Sequence, residues 1–218
     1  MIRVHAFRQV PPFAQGLVRD LRVRWALEEA GLSYETELLD PGENKSPGYR
    51  ALQPFGQVPV YRDGDIELFE SGAIVVCIAE KSEALMPRDE PGRLAALTWI
   101  FAALNTIEPA IQGLAEIDLF NADQAWAIER RPAMVERVRT KLGELSDRLG
   151  NRDCLTGRFT AGDLMMVSVL RILRHTDLVS EFPNLAAYQA RCEARPAFQR
   201  ALAAQMEPFR AEPPLVAA

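Results

Sequence analysis

Between Phe7 and Asp20 the chain reads RQVPPFAQGLVR, a stretch with no Ser, Thr, Tyr, Cys, His, Asp or Glu. Chemistry placed there must come from backbone amides, Gln or Arg. Cysteine is scarce: Cys77, Cys154 and Cys192 form no CxxC pair, and three thiols cannot all pair. That excludes a disulfide framework and fits buried thiols in a reducing compartment. The two histidines, His5 and His175, have no Cys or His at ligand spacing, so no metal site is expected. Long apolar runs are missing as well. MIRVHAFRQV lacks a signal-peptide core. The most apolar late segment, AGDLMMVSVLRIL, is broken by Asp163 and Arg171. Nor is there a basic excess. Net charge is −5, and residues 1–83 carry 9 basic against 13 acidic groups. Neither nucleic acid nor an anionic membrane is an expected partner. No repeat or low-complexity segment is visible. A soluble cytoplasmic protein is the expectation.

The 218 residues, 48% hydrophobic, suffice for one large domain or two small ones. Residues 1–82 alternate strand and helix signals. Ile2–Phe7 is a β-branched apolar strand. From Leu17 to Ala30 the pattern is helical, with Leu17, Leu21 and Trp25 on one face and Gly31 as the stop. Tyr34–Leu39 alternates as a second strand. Residues 40–56 read as loop with one helical turn. Val58–Tyr61 and Ile66–Phe69 flank an Asp-Gly-Asp turn as a hairpin. Ser71 can cap a helix running to about Glu80. The order predicted is β-α-β-α-β-β-α.

Residues 83–92, with two prolines and a glycine, read as a linker. The region 93–212 is expected to be all helical, and 213–218 a loose tail, within a final AEPPLVAA. Leu94, Leu97, Phe101, Leu104 and Ile111 keep a helical period. Pro109 should kink it by freeing the Asn105 carbonyl. Val135, Val138, Leu142, Leu145 and Leu149 form another stripe. Thr160-Ala-Gly-Asp163 is a capping box. Two more helices should open at Pro183 and Pro196.

The informative stretch is QPFGQVPVYRDGDIELFESGAI, residues 53–74. A proline at the start of a strand removes a ladder donor and belongs at an edge, a bulge or a cis bond. Val58-Pro59 therefore suggests a cis turn whose Val58 backbone can pair with an extended peptide. About ten residues later Glu70-Ser71 opens a helix. A helix start with a hydroxyl and free N–H groups receives a carboxylate, and a neighbouring Glu can hold an ammonium. Together these form a receptor for a small zwitterionic peptide.

RWALEEAGLSYE (24–35), QPFGQVPV (53–60), LFESGAI (68–74), the TAGD box and NLAAYQARCEARPAFQRAL (184–202) resemble the glutathione transferase superfamily across essentially the whole chain. The resemblance implies a thioredoxin-like N-terminal domain, an all-helical C-terminal domain, a homodimer, and glutathione as co-substrate in the cleft between the domains. It places Val58 against the cysteinyl backbone of glutathione, with Pro59 cis. Glu70 and Ser71 would hold the γ-glutamyl end. Lys45 would take the glycyl carboxylate, with a further hydrogen bond from Gln57. Gln53 stands where the family often has Asn, as a structural residue. Plainer roles stay open. Pro59 can be only a bend, Ser71 only a cap, Glu70 only a helix-dipole charge, Lys45 a solvated lysine and Gln57 a strand-edge residue.

The family's catalytic Ser, Tyr or Cys falls near Leu17, where this chain has Gly16, Leu17 and Val18 in a loop longer than usual. A cysteine mixed-disulfide route and a hydroxyl route are both excluded at that position. An ordinary thiol of pKa about 8.5 is roughly 3% thiolate at pH 7. Lowering it by ~2 units needs about 2.7 kcal/mol. Hydrogen bonds to a charged group supply roughly 1.5–3 kcal/mol. Backbone N–H groups of Leu17 and Val18 at the helix start, with Gln15 as a neutral donor or Arg19 as a cation, are the candidates. Arg19 can equally be a solvated helix-face residue, and Gln15 inert. His5 and Gln9 rank lower. Pro11, Pro12 and Phe13 stiffen the loop, and Phe13 can wall an electrophile pocket or simply be buried. Phe101, Asn105 and Glu108, at i, i+4 and i+7, are expected on one helix face lining that pocket, unless they only pack helices.

The expected activity is conjugation of the glutathione thiolate to small electrophiles, in detoxification. Two alternatives stand beside it: glutathione-dependent reduction of a disulfide or peroxide, and a non-catalytic binding or scaffold protein of the same fold.

Overall fold

A computed structural model describes residues 1–211. The expected tail at 213–218 lies outside them. The chain forms two compact units, Met1–Leu85 with the segment from Arg195 onward, and Met86–Ala194. The division therefore falls at Leu85, inside the expected linker. The last helix, expected with the helical half, packs with the N-terminal unit instead.

The first unit runs β1 (Ile2–Phe7), α1 (Asp20–Ala30), β2 (Tyr34–Leu39), α2 (Pro47–Leu52), β3 (Val60–Asp63), β4 (Ile66–Phe69) and α3 (Ser71–Ala79). This is the thioredoxin-like order expected. The sheet order is β2-β1-β3-β4. β1 runs parallel to β2 with Ile2 opposite Tyr34, and antiparallel to β3. β3 and β4 form a hairpin closed at Gly64, whose φ of 60° suits glycine. Val4, Val23, Trp25, Leu27, Val60, Tyr61, Ile74, Val75 and Ile78 are fully buried between sheet and helices.

Two boundaries differ from expectation. α1 begins at Asp20, not Leu17, because residues 15–19 form a turn. Gly16 takes φ 76°, and the Leu17 N–H bonds the Ala14 carbonyl at 2.9 Å instead of entering a helix. β3 begins at Val60, not Val58, since Pro59 has no N–H for the ladder and the Val58–Pro59 peptide is cis.

The last helix, α9 (Pro196–Ala211), lies along α1. Phe198 meets Trp25 edge-on at 4.8 Å between ring centroids. Arg195 makes two bonds to the Glu29 carboxylate, 2.6 and 2.8 Å, and Arg200 one to Glu28 at 2.7 Å.

The second unit carries α4 (Glu90–Ala102), a π turn (Ala103–Ile107), α5 (Glu108–Phe120), α6 (Ala125–Leu149), α7 (Ala161–Leu170) and α8 (Pro183–Glu193). Pro109 does break the regular ladder, as expected. The helix responds by widening, and the Glu108 N–H reaches back five residues to Ala103. α8 and α9 both open on their prolines. Val138, Leu142, Leu145 and Leu149 of α6 are buried. All ten residues of α7 are buried, its capping box formed as expected. Asp163 there accepts from Thr160 N–H, Leu155 N–H and the Tyr188 hydroxyl at 2.9, 2.8 and 3.0 Å. The helical run Glu90–Phe120, 31 residues, is long and apolar enough to cross a bilayer by length and composition alone. Its Ile100, Ala103, Ala110, Ile111 and Leu114 are buried within the unit, as in a helix that serves a protein core.

Candidate active site

The Val58 step is held from behind by α2 and the turn before it. Ser46 caps α2 by accepting from the Tyr49 N–H at 3.2 Å. Tyr49 is thereby fixed and buried, and its hydroxyl donates to the Gln57 carbonyl at 2.7 Å. Burial pushes the Tyr49 phenol well up from its ordinary value, so it stays a donor. The Asn44 side chain donates to the Gly56 carbonyl at 2.6 Å. Gly56 has φ 64°, and a Cβ there would lie 2.8 Å from the Asn44 carbonyl, so glycine is required.

The trans Gln57–Val58 peptide is planar, with its C=O and N–H antiparallel. Pinning the Gln57 oxygen on Tyr49 therefore aims the Val58 N–H the opposite way. Val58 lies outside both ladders of β3, which begin at Val60. Its side chain is buried with Leu39, Tyr49 and Val60, and Phe7, Val18 and Leu52 pack on the same cluster. The end of the hydroxyl-free loop and the Val58 step are thus neighbours. Gln57 is exposed. Lys45, also exposed, closes a 3-10 turn (Glu43–Lys45) that Asn44 ties to Gly56. Gln53 is buried and accepts the Phe55 N–H at 2.6 Å, a structural role.

At the start of α3, Glu70 and not Ser71 occupies the cap position, with no side-chain cap bond. Glu70 takes φ 70°, rare for a residue with a Cβ and a mark of local strain. Ser71 is the first helical residue, buried, and its Oγ accepts from Arg22 Nη1 at 3.3 Å. The first turn holds no acidic residue. With no side-chain cap bond and no acid in the first turn, the positive dipole end of this helix is able to receive an outside anion.

The start of α1 is different. Asp20, 1% exposed, sits in its first turn. Its carboxylate accepts Arg24 Nε at 2.7 Å and Gln205 Nε2 at 2.7 Å, and its own backbone amide bonds it too. Burial pushes this carboxyl up from its ordinary value, while Arg24 and Gln205 pull it back. The next two amides, Leu21 and Arg22, bond the Val18 and Arg19 carbonyls. The sequence placed the free amides of a helix start at Leu17 and Val18. Both in fact lie in the turn before α1, and the Leu17 amide is engaged by Ala14. Val18 has no backbone acceptor for its N–H among the described residues.

Gln15 ends a 3-10 turn that contains Phe13 (Pro12–Ala14), and Arg19 caps α1; all three are half-buried. His5 is buried with Nε2 at 2.8 Å from the Glu37 carboxylate. In the second unit Phe101 and Asn105 are exposed while Glu108 is buried. The π turn adds a residue to the expected i, i+4, i+7 spacing, so these three do not share one face.

Sequence reading missed Arg22, Asn44 and Tyr49. Ser46-Pro47 before Tyr49 was the one local signal, since a capped short helix fixes its third residue.

Residues 15–80 match the family described as glutathione S-transferase, N-terminal domain, and residues 119–196 its C-terminal domain. A glutathione S-transferase of Silene vulgaris is 31% identical over 203 residues, covering 85% of this chain and 93% of that protein. Glutathione S-transferase 1 of Zea mays is 32% identical over 197 residues, covering 86% and 92%. Among solved structures, a glutathione transferase of Burkholderia graminis with two glutathione molecules per subunit superposes with TM-score 0.81 at 26% identity, covering 92% and 87%.

Proposed function

The chain belongs to the glutathione S-transferase family, and from that membership we propose how its own residues bind glutathione and activate its thiol. The tripeptide lies extended along the Val58 backbone, whose N–H and C=O pair with the cysteinyl residue. Its γ-glutamyl carboxylate sits on the open start of α3, beside Ser71, and Glu70 holds the ammonium. Lys45 and Gln57 take the glycyl carboxylate. The thiol then lies by Val18, next to Val58 in the shared apolar cluster. The Val18 amide, with Gln15 or Arg19, stabilises the thiolate. The thiolate attacks an electrophilic carbon: a C–S bond forms, the leaving group departs with its electron pair, and the thiol proton goes to water. Phe13, on the first unit, remains a candidate for contact with the electrophile. The relatives' transferase names favour this reading over disulfide reduction or a scaffold role.

The start of α3, with no side-chain cap bond and no acid in its first turn, carries the proposal. Its test is calorimetry of glutathione binding to Glu70→Ala combined with Ser71→Ala. Affinity should fall by about a hundredfold, the scale of two charge-assisted bonds, with the thermal midpoint little changed. Unaltered affinity would remove the site.

A cytoplasmic homodimer completes the proposal. On the first unit Phe55 is 64% exposed and Phe69 37%, their rings edge to face at 6.2 Å. Such a patch suits an interface. Sedimentation should give a dimer, and Phe55→Ser should shift it toward monomer; a parent that sediments as a monomer refutes the assembly.

A further inference from the structure

We propose that Gln205, near the far end of the chain, is a positioning residue for thiol activation. It acts by holding the Val18 carbonyl, and the inference rests on the reading that Val18 presents its amide to the glutathione thiol.

Gln205 lies on α9, 2% exposed. Its Nε2 donates to the Val18 carbonyl at 3.0 Å and to Asp20 Oδ1 at 2.7 Å. Its Oε1 is buried with no donor among the described residues. That orphan atom shows which way the amide is committed. Reversing the group would set Oε1 against two acceptors, a carbonyl and a carboxylate, and leave the –NH₂ unpaired. Among the described residues the side chain thus leaves one buried oxygen unsatisfied while both its hydrogens grip the entrance of α1. Buried unsatisfied groups are uncommon in folded proteins, and this one accompanies a specific two-point hold.

The consequence falls on Val18. Its side chain is fixed in the cluster with Val58. Its carbonyl is fixed by Gln205 and by the Leu21 N–H at 2.9 Å. With side chain and carbonyl both held, the Val18 Cα and its bond to nitrogen are held in place, and with them the position of the amide. In a loop without hydroxyl, thiol or carboxylate, amide placement is what remains to tune the thiol.

Gln205 is not needed to hold the fold. Without it the Val18 carbonyl keeps the Leu21 N–H, and Asp20 keeps Arg24 and its own amide. Gln205→Met, of similar length and without donors, should therefore fold.

The experiment is ultraviolet thiolate absorbance of bound glutathione against pH, with S-methyl glutathione as blank. It is run on the parent, Gln205→Met, Gln205→Asn and Arg200→Gln. The last removes an ion pair of α9 to Glu28 and no contact with Val18. In the parent the thiol pKa should lie well below the ordinary ~8.5. Gln205→Met should raise it by about one unit, with about tenfold lower kcat/KM toward a dinitrophenyl chloride and nearly unchanged KM for glutathione. Gln205→Asn, a shorter donor, should fall between, and Arg200→Gln should match the parent. A shifted parent with unshifted Gln205 variants overturns the role of Gln205 and leaves thiol activation standing. An unshifted parent overturns both at once, before any variant is compared.

Discussion

α1 and α3 start in the same unit, and each could in principle offer its first amides to an anion. Their first turns are opposites. α1 has filled its own start with the buried Asp20 carboxylate, backed by Arg24 and Gln205. α3 has no acid in its first turn and no side-chain cap bond, and its one hydroxyl there, on Ser71, faces Arg22. A helix dipole is worth roughly 0.3–1 kcal/mol to a charge, and up to ~2 when partly buried. It can be spent on the protein's own carboxylate or kept for a ligand. On the proposed reading, α3 is the receptor for a carboxylate from outside. The same proposal gives thiol activation to the turn before α1, and not to that helix's own end.

The largest expected effect comes from breaking the closed start. Arg24→Met removes the partner of a buried carboxylate, and the usual cost of that is about 3–5 kcal/mol. Chemical denaturation at pH 7 should show it. The pH trend has a definite sign. Burial already places the folded Asp20 pKa above its unfolded value, and losing Arg24 raises it further. A group of that kind adds stability below its unfolded pKa and loses it as pH rises through the folded one. The deficit of the variant should therefore shrink between pH 7 and pH 5. A deficit that grows on acidification would mean Asp20 does not depend on Arg24 for its charge.

Closing the open start sharpens the contrast further. Ser71→Asp gives α3 the feature that α1 already has, an acid in the first turn, with Arg22 at hand as its partner. Stability should rise by about 0.5 kcal/mol. Glutathione affinity should drop about a hundredfold, because the ligand carboxylate now meets a like charge in its place. Calorimetry beside a thermal melt reads both. If binding survives, the γ-glutamyl group does not use this helix start.

The sequence made the order of elements visible because it depends on local signals: β-branched runs, Gly31 after α1, Ser46 and Thr160 before their helices, Pro183 and Pro196 at helix starts. Val58-Pro59 and Glu70-Ser71 were legible for the same reason, as short patterns with a fixed spacing. What stayed hidden is contact across sequence distance. Arg22 meets Ser71 across 49 positions, and Gln205 meets Val18 across 187. Neither pairing leaves a local trace. The strained Glu70 also had no signal, since positive φ is usually announced by glycine. Pro109 announced a kink, but proline alone does not say that the helix will add a residue, and that extra residue separated Glu108 from Phe101 and Asn105.

If helix starts divide the charged work, the peptide amide at Val58 must be aimed by something else, and Tyr49 is what aims it. Tyr49→Phe deletes one hydroxyl that donates 2.7 Å to the Gln57 carbonyl and changes little else in a buried ring. A net hydrogen bond of this kind is worth about 1 kcal/mol. The Gln57 residue is exposed, so its carbonyl can turn to water once released. The fold should lose less than that amount. The Val58 N–H, on the same rigid peptide, turns with it, so glutathione affinity should fall about fivefold. Because burial keeps the phenol protonated through the working range, the fivefold ratio should be the same at pH 6 and pH 8. A folded Tyr49→Phe protein with parental affinity would show that the Val58 backbone is held by its apolar cluster alone.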